Sequence, residues 1–179
     1  ITELLENDNT LFNLIMSNMS FKIDNTDFSF ILNDEKIQFH KVFMMIHGDP
    51  GENGKLCPYF ESRQIPYTCC DEKVSMLTFN KFKCNSYLQL LGYKVPNSKI
   101  AKKNYNSIFP CIIKPSSSGS SFGISKVYNN KELGLAINKA LKYDKEGIVE
   151  EFIKGREVTC AVFNLNNKIK TLPITEIIS

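Results

Sequence analysis

Two short apolar runs flank the segment Pro-Ser-Ser-Ser-Gly-Ser-Ser-Phe-Gly at 115–123. The first is Cys-Ile-Ile-Lys at 111–114, and the second covers 124–128. Runs this short suit strands better than helices, so the segment must carry the chain from one strand to the next. A Gly/Ser-rich turn offers many backbone N–H groups that can point into one concavity. With no bulky side chains, its backbone can approach an anion closely. The hydroxyls of Ser120 and Ser121 add neutral donors, and Lys114 adds a positive charge suited to phosphate. The pattern is not Gly-Lys-Ser/Thr leading into a helix, so it is not a Walker loop. A loop between strands would instead lie over phosphates as a flap. On composition alone, a flexible hairpin tip explains the segment equally well.

The surrounding pattern predicts the rest of the fold. Residues 28–32 and 37–39 read as strands around Asn33-Asp34-Glu35, and 41–46 as a strand buried on both faces, as in a parallel sheet. Residues 54–63 read as a helix and 65–67 as extended. Asp71 is a candidate N-cap for a helix starting at Glu72, and a second helix covers 80–91 and stops at Gly92. A helix within 1–20 and a linker at 101–107 complete the first part. Residues 130–142 carry a helical stripe of Leu133, Ala136, Ile137, Ala140 and Leu141. A strand at 148–153 follows, then strands at 158–165 and 169–174 in a hairpin around Asn166-Asn167. The fold class is α/β for the first part and antiparallel α+β for the rest.

Three further features bear on chemistry. Glu150-Glu151-Phe152-Ile153 and Gly155-Arg156-Glu157 cluster carboxylates at the end of an apolar strand. Alternation puts Glu150 and Phe152 on one face and Glu151 and Ile153 on the other. Such an edge can line a purine, and its carboxylates can meet ribose hydroxyls or Lys114; a solvated acidic turn explains it as well. His47-Gly-Asp-Pro-Gly-Glu-Asn-Gly54 places a histidine and a carboxylate on a Gly-rich turn after a strand, where ligands collect in α/β sheets. A plain tight turn has the same composition. Lys81, opening a helix after Asn80, reads on its own as a surface lysine.

Composition removes several classes. The 179 residues carry 22 Lys and Arg against 19 acids, a net charge of +3 without a long basic block, which argues against a nucleic-acid partner. No apolar run approaches the roughly 20 residues that span a bilayer, so no membrane partner is expected. The six cysteines form no C-x-x-C pair and read as free thiols of a reducing cytoplasm. The chain starts at Ile1 and stops at Ser179 directly after a strand-like run, so both ends read as cut.

In order and spacing, HGDPGENGKL, IPYT, SMLTFNKFKC, FPCIIKPSSSGSSFGISKV and VEEFIKGREVTCAVF resemble the D-alanine–D-alanine ligase family of ATP-grasp enzymes. The resemblance runs from about residue 39 to 179. It implies an ATP-grasp architecture: a partial N-terminal α/β substrate domain over 1–80, a central ATP-grasp domain with its flap loop over 81–149, and a hinge opening the C-terminal domain over 150–179. It implies a ligase that uses ATP and Mg²⁺ to make D-alanyl-D-alanine for peptidoglycan through an acyl phosphate. It also implies a cytoplasmic setting, D-alanine and ATP as partners, and admits a homodimer. Lys81 and Lys114 match the lysines that contact ATP phosphates, and Ser120, Ser121, Phe122 and Gly123 the loop over them. Ser120 also matches the serine that organises the substrate site. Glu150, Glu151 and Ile153 match the adenine-binding hinge, Glu157 the ribose carboxylate, and His47 the histidine near the first D-alanine.

Asn53 and the Cys57-Pro58 pair depart from the family's usual Asp and Gln-Gly, which touches local turn and helix geometry. The linker at 101–107 is shorter than usual. The family's N-terminal Gly-rich segment, its later mobile loop with a tyrosine, and the Arg, Asp, Glu and Asn groups that handle Mg²⁺ are not in these residues. The 179 residues alone are therefore expected to be inactive. Another carboxylate–amine ligase of the superfamily, a D-alanine–D-lactate ligase and an inactive ATP-binding fragment remain alternatives.

Overall fold

The computed structural model describes residues 22–102 and 108–178. The helix expected within 1–20 and the centre of the linker expected at 101–107 lie outside the described residues. The chain divides into two compact units, Ile1–Met76 and Leu77–Ser179.

In the first unit, β1 (Ser29–Leu32) and β2 (Glu35–Gln38) pair antiparallel, with Leu32 opposite Glu35. Asn33 and Asp34 both take positive φ, 49° and 65°, as a two-residue hairpin turn requires. An aromatic group holds the hairpin to the short helix α1 (Cys57–Glu61): Phe30 stacks on Phe39 at 5.5 Å, and Phe28 meets Phe60 edge-on at 5.1 Å. Arg63 lies over the Tyr59 ring and donates to the carbonyls of Thr26 and Asn25. The expected helix at 54–63 is shorter because Gly54, at φ +79°, still belongs to the preceding turn. Pro58 falls in the first helical turn, where its missing N–H breaks no bond, so the departure at Cys57-Pro58 leaves a helix in place.

Residues 41–46 differ from expectation. Val42 makes one parallel bridge to Tyr67, yet Phe43 is 65% and Met45 75% exposed. Burial on both faces needs neighbours on both, and the described residues supply a strand partner along one edge only. Asp71 caps helix α2 (Glu72–Phe79) as expected, its Oδ1 accepting the Val74 N–H at 2.8 Å.

The second unit opens with α3 (Lys81–Leu90). The Asn80 side chain accepts the Lys83 N–H at its start, and Gly92 at φ +83° ends it. Strands β3 (Ser98–Ile100), β4 (Cys111–Pro115), β5 (Ser125–Val127) and β6 (Gly147–Glu151) form an antiparallel sheet in the order β3-β6-β4-β5. Helix α4 (Asn130–Ala140) packs on it. Asn129 caps this helix by accepting from the N–H groups of Lys131 and Glu132, and Glu132 reaches back to the Tyr128 N–H.

Alternation along the strands builds the core. Cys111, Ile113, Val127 and Val149 point to α4 and meet Leu133, Ala136, Ile137 and Ala140. Leu141, expected in the same stripe, is the C-cap and stands 44% exposed. Strand β3 was not legible, and the expected strands at 158–165 and 169–174 are divided. β7 (Glu157–Thr159) pairs with β10 (Thr175–Ile177), while β8 (Val162–Leu165) and β9 (Lys168–Thr171) form the hairpin at Asn166-Asn167, both at positive φ. The Leu172 N–H still reaches the Ala161 carbonyl at 2.9 Å, but Cys160 and Ala161 belong to neither strand, and the two pairings form separate sheets.

Ile113 is fully buried between β6 and α4. Ile113→Ala should lower unfolding free energy by about 2–5 kcal/mol, the range for emptying a packed aliphatic site. A urea titration checks this; an unchanged midpoint would mean that the sheet and α4 do not form one core.

Candidate functional site

One face of the four-stranded sheet is covered by α4, and the other carries the charged residues. The register places Glu150 opposite Ile112, and Lys114 opposite Ile148. Residues directly opposite share a face, so Lys114 and Glu150 lie diagonally adjacent on the face away from α4. Their side chains are 19% and 7% exposed, and Lys114 Nζ lies 2.5 Å from Glu150 Oε2. The second carboxylate oxygen accepts from Asn85 Nδ2 of α3 at 3.0 Å. Lys126 stands on the same face and places its ammonium 3.5 Å from the Phe152 ring centre. The predicted split of Glu150 from Glu151 holds: Glu151 turns to Asn97, whose Nδ2 donates to it at 2.8 Å.

The Ser/Gly loop begins directly beyond Lys114, and its root is tied on two sides. From the start of α3, the Lys81 N–H donates to the Ser116 carbonyl at 2.8 Å, and Lys81 Nζ donates to the Ser118 carbonyl at 2.5 Å. Ser116 Oγ donates to Asn80 Oδ1, and Asn80 Nδ2 donates to Ser117 Oγ. From the turn after α4, Asp144 Oδ2 accepts the Ser117 N–H at 2.6 Å, and the Glu146 carbonyl accepts the Ser116 N–H at 2.9 Å. Lys81, Lys114 and residues 116–118 are thus held together by strand, helix cap and turn.

The tip is a tight turn in which the Phe122 N–H reaches the Gly119 carbonyl at 3.4 Å. Its central residues, Ser120 and Ser121, have φ of 53° and 57°. Asn and Gly are the usual occupants of such positions, and a left-handed residue with a Cβ costs about 1–2 kcal/mol. Strain kept at two hydroxyl residues is a feature of functional loops. Among the described residues, no protein acceptor meets the backbone N–H of Gly119, Ser120 or Ser121. A concave run of donors beside lysine ammoniums can receive an anion.

Other side chains singled out from the sequence take no part in these contacts. Phe122 stacks on Tyr143 at 5.7 Å, with its ring largely exposed. Ile153 is exposed after β6, and Glu157 is exposed in β7 opposite Ile177. His47 belongs to the first unit. Its Nδ1 lies 3.3 Å from Glu52 Oε1, while Glu52 Oε2 accepts the Gly48 N–H at 2.6 Å. Lys55 donates to Asp49 and holds that carboxyl below the usual range. Gly51 is required here, because a Cβ would lie 2.6 Å from the Ile46 carbonyl oxygen. The same unit holds an open apolar hollow of about 560 Å³ between residues 42–46 and α1, which shares no residue with the Lys114 region.

Among the described residues, no group of three or more His, Cys, Asp or Glu is placed to hold a metal ion. These side chains therefore do not fit a Mg²⁺ site by themselves. No described helix is long and apolar enough to cross a membrane. Sequence reading missed Asn80, Asn85 and Asp144 as parts of this region. Only Asn80 carried a local signal, as the residue before a helix.

Comparison with known proteins adds a family. A family model described as D-ala D-ala ligase C-terminus matches residues 83–179. The D-alanine–D-alanine ligase of Phocaeicola vulgatus is 45% identical over 166 residues, covering 88% of this chain and 51% of that protein. Among solved structures, D-alanyl-alanine synthetase A from Vibrio cholerae superposes with a TM-score of 0.78 at 24% identity, covering 89% of this chain and 52% of its own. The VanG D-Ala:D-Ser ligase from Enterococcus faecalis gives 0.75 at 32% identity, covering 93% and 53%. The chain spans about half the length of the curated relatives it matches. Its fold is that of the ATP-grasp ligases.

Gly123, at φ +76°, closes the loop against Pro115 and Tyr143, and a Cβ there would lie 2.8 Å from each. Gly123→Ala should therefore cost more than about 1 kcal/mol, through both strain and crowding. It should also raise protease cleavage within 116–123. Unchanged stability and cleavage would mean that the loop does not pack there.

Proposed function

The chain belongs to the D-alanine–D-alanine ligase family, and we propose that the protein carrying it joins two D-alanine molecules using ATP. ATP phosphorylates the carboxylate of the first D-alanine. The amine of the second attacks that acyl phosphate, and inorganic phosphate leaves as the peptide bond forms. The product serves peptidoglycan synthesis. The observation that carries the reading is the gathering of Lys81, Lys114 and the strained Ser120-Ser121 turn around one loop root.

The roles follow from the chemistry at each position. Lys81 and Lys114 neutralise ATP phosphates. Ser120, Ser121, Phe122 and Gly123 form the loop over them, with backbone donors turned to the phosphoryl oxygens. Ser120 also organises the amino-acid side, which makes it the catalytic candidate. Glu150, Glu151 and Ile153 line the adenine, Glu157 holds the ribose, and His47 lies near the first D-alanine. Mg²⁺ would screen phosphate charge in such a reaction, but the described residues supply no cluster for it, so no step is assigned to it. The domain division at 80/81 and 149/150, a cytoplasmic setting, a homodimer, and D-alanine and ATP as the partners complete the proposal.

A second reading concerns only the second substrate. The 32% identity to a structure titled as a D-Ala:D-Ser ligase keeps D-serine, like D-lactate, open as the acceptor. Assays with D-alanine alone and with each added competitor separate these products.

The proposal requires phosphate release by the whole protein to depend on D-alanine; release with L-amino acids alone would sink it. Lys114→Ala should weaken ATP binding about tenfold or more, the scale of one lost charge-assisted bond. It also leaves Glu150 buried without its partner, so calorimetry with ATP is read beside thermal unfolding. Ser120→Ala should lower kcat more than it changes ATP affinity. The reverse pattern would assign Ser120 to binding alone.

A further inference from the structure

The loop's two ends are both fastened to one short turn that no functional reading has used. At the outgoing end, Asp144 Oδ2 accepts the Ser117 N–H at 2.6 Å, and the Glu146 carbonyl accepts the Ser116 N–H at 2.9 Å. At the returning end, the Tyr143 ring lies nearly parallel to Phe122, 5.7 Å between centres and 21° between planes. The same ring borders the space that a Gly123 side chain would fill. Neighbouring residues 143 and 144 thus hold opposite ends of a loop whose tip, Gly119 to Ser121, keeps its backbone N–H groups without protein acceptors among the described residues.

We propose that Tyr143 and Asp144 are positioning residues for the nucleotide phosphates: they fix both ends of the 116–123 loop so that its tip donors stand ready for an anion. This rests on the reading of that loop as a phosphate loop. A carboxylate beside a phosphate site would ordinarily repel the ligand. Asp144 avoids part of that conflict by accepting an N–H, so its charge strengthens a bond to the loop. Preorganised donors lose less on binding than donors that must be gathered from a mobile loop. The turn therefore acts on phosphate affinity without touching phosphate. Adenosine, which carries no phosphate, is the control ligand.

The test uses the whole protein with ATP and adenosine as probes, measured by calorimetry, beside amide exchange across 116–123 and steady-state kinetics. Asp144→Ala should raise the Kd and KM for ATP about tenfold, the scale of a lost bond to a charged group. Adenosine affinity should stay at the wild-type value, and the Ser117 amide should lose its protection. Asp144→Asn keeps an oxygen acceptor and should recover most of the ATP affinity. Tyr143→Leu still covers Gly123 but removes the stacked ring, so it should raise the ATP KM and the exchange of 121–123. Parallel loss of ATP and adenosine binding would reveal general damage and overturn the proposal. So would ATP affinity unchanged in Asp144→Ala, or Asp144→Asn no better than Asp144→Ala. If Asp144→Ala does not fold, the Asp144→Asn and Tyr143→Leu arms decide on the same readouts. If the wild-type protein binds ATP no better than adenosine, the phosphate-loop reading itself fails, and that result is distinct from the variant outcomes.

Discussion

The Lys114–Glu150 pair is largely withdrawn from water on the sheet face away from α4. Taking either charge out of water costs several kcal/mol, and the pair persists only because each partner meets the other with good geometry. The antiparallel register of β4 and β6 makes that meeting possible. A slip of β4 by one residue would send Lys114 to the α4 side, beside Val149 and Ile137 in an apolar cluster, and would turn Ile113 out of it. The pair and the core therefore demand the same register. The apolar face selects it by burial, and the polar face by charge. Asn85 supports the arrangement by donating to the second Glu150 oxygen, which ties α3 to the sheet.

From that fixed pair the loop inherits its starting point. Pro115 ends the strand fully buried, and Ser116 begins the loop fully buried with both backbone groups bonded. The path of the loop is thus fixed from its start, and the left-handed Ser120-Ser121 turn can be held despite its strain. A chain free at its root would relax such a turn. Here the root is bonded to α3 and to the turn after α4, and the return passes Gly123 between Pro115 and Tyr143. The strain is affordable because closely packed elements on both sides determine the path.

How much of this was legible follows from the range of each interaction. The β4 strand, the Ser/Gly loop, the stripe of α4 and the turn at Asn166-Asn167 are written in neighbouring residues, and they formed as read; the turn expected at Asn33-Asp34-Glu35 is tighter, because Glu35 pairs with Leu32 and opens β2. The N-caps at Asp71 and Asn80 are also local. Strand β3 escaped because three residues show no period, and the β7–β10 pairing escaped because it joins segments separated by a whole hairpin. Leu141 fits the apolar spacing, but the helix ends before its side chain can be covered. Residues 41–46 have the composition of a buried strand, yet composition does not supply neighbours. In the candidate site, Lys114 and the serines could be singled out by type and position, though a plain hairpin tip had the same composition. Asp144 did not, because an acid 27 residues from its partner looks like any surface carboxylate until the fold closes.

The electrostatic balance around the loop explains why these partners are useful beyond stability. Lys114 is matched by Glu150, Lys81 Nζ by the Ser118 carbonyl, and the Ser117 N–H by Asp144. Buried bare cations would be desolvated at a high cost in the free protein. Among the described residues, what meets no protein acceptor is the run of N–H groups at the tip, Gly119 to Ser121. On the proposed reading, an arriving phosphate chain would meet these donors and share Lys114 with Glu150, which is already in place. Such sharing would leave Lys114 correctly placed when the nucleotide departs, because Glu150 still holds it. The same carboxylates limit how tightly an anion can be held. On the proposed reading, such an arrangement would favour turnover over the tightest possible grip, since product phosphates would have to leave it as readily as ATP enters.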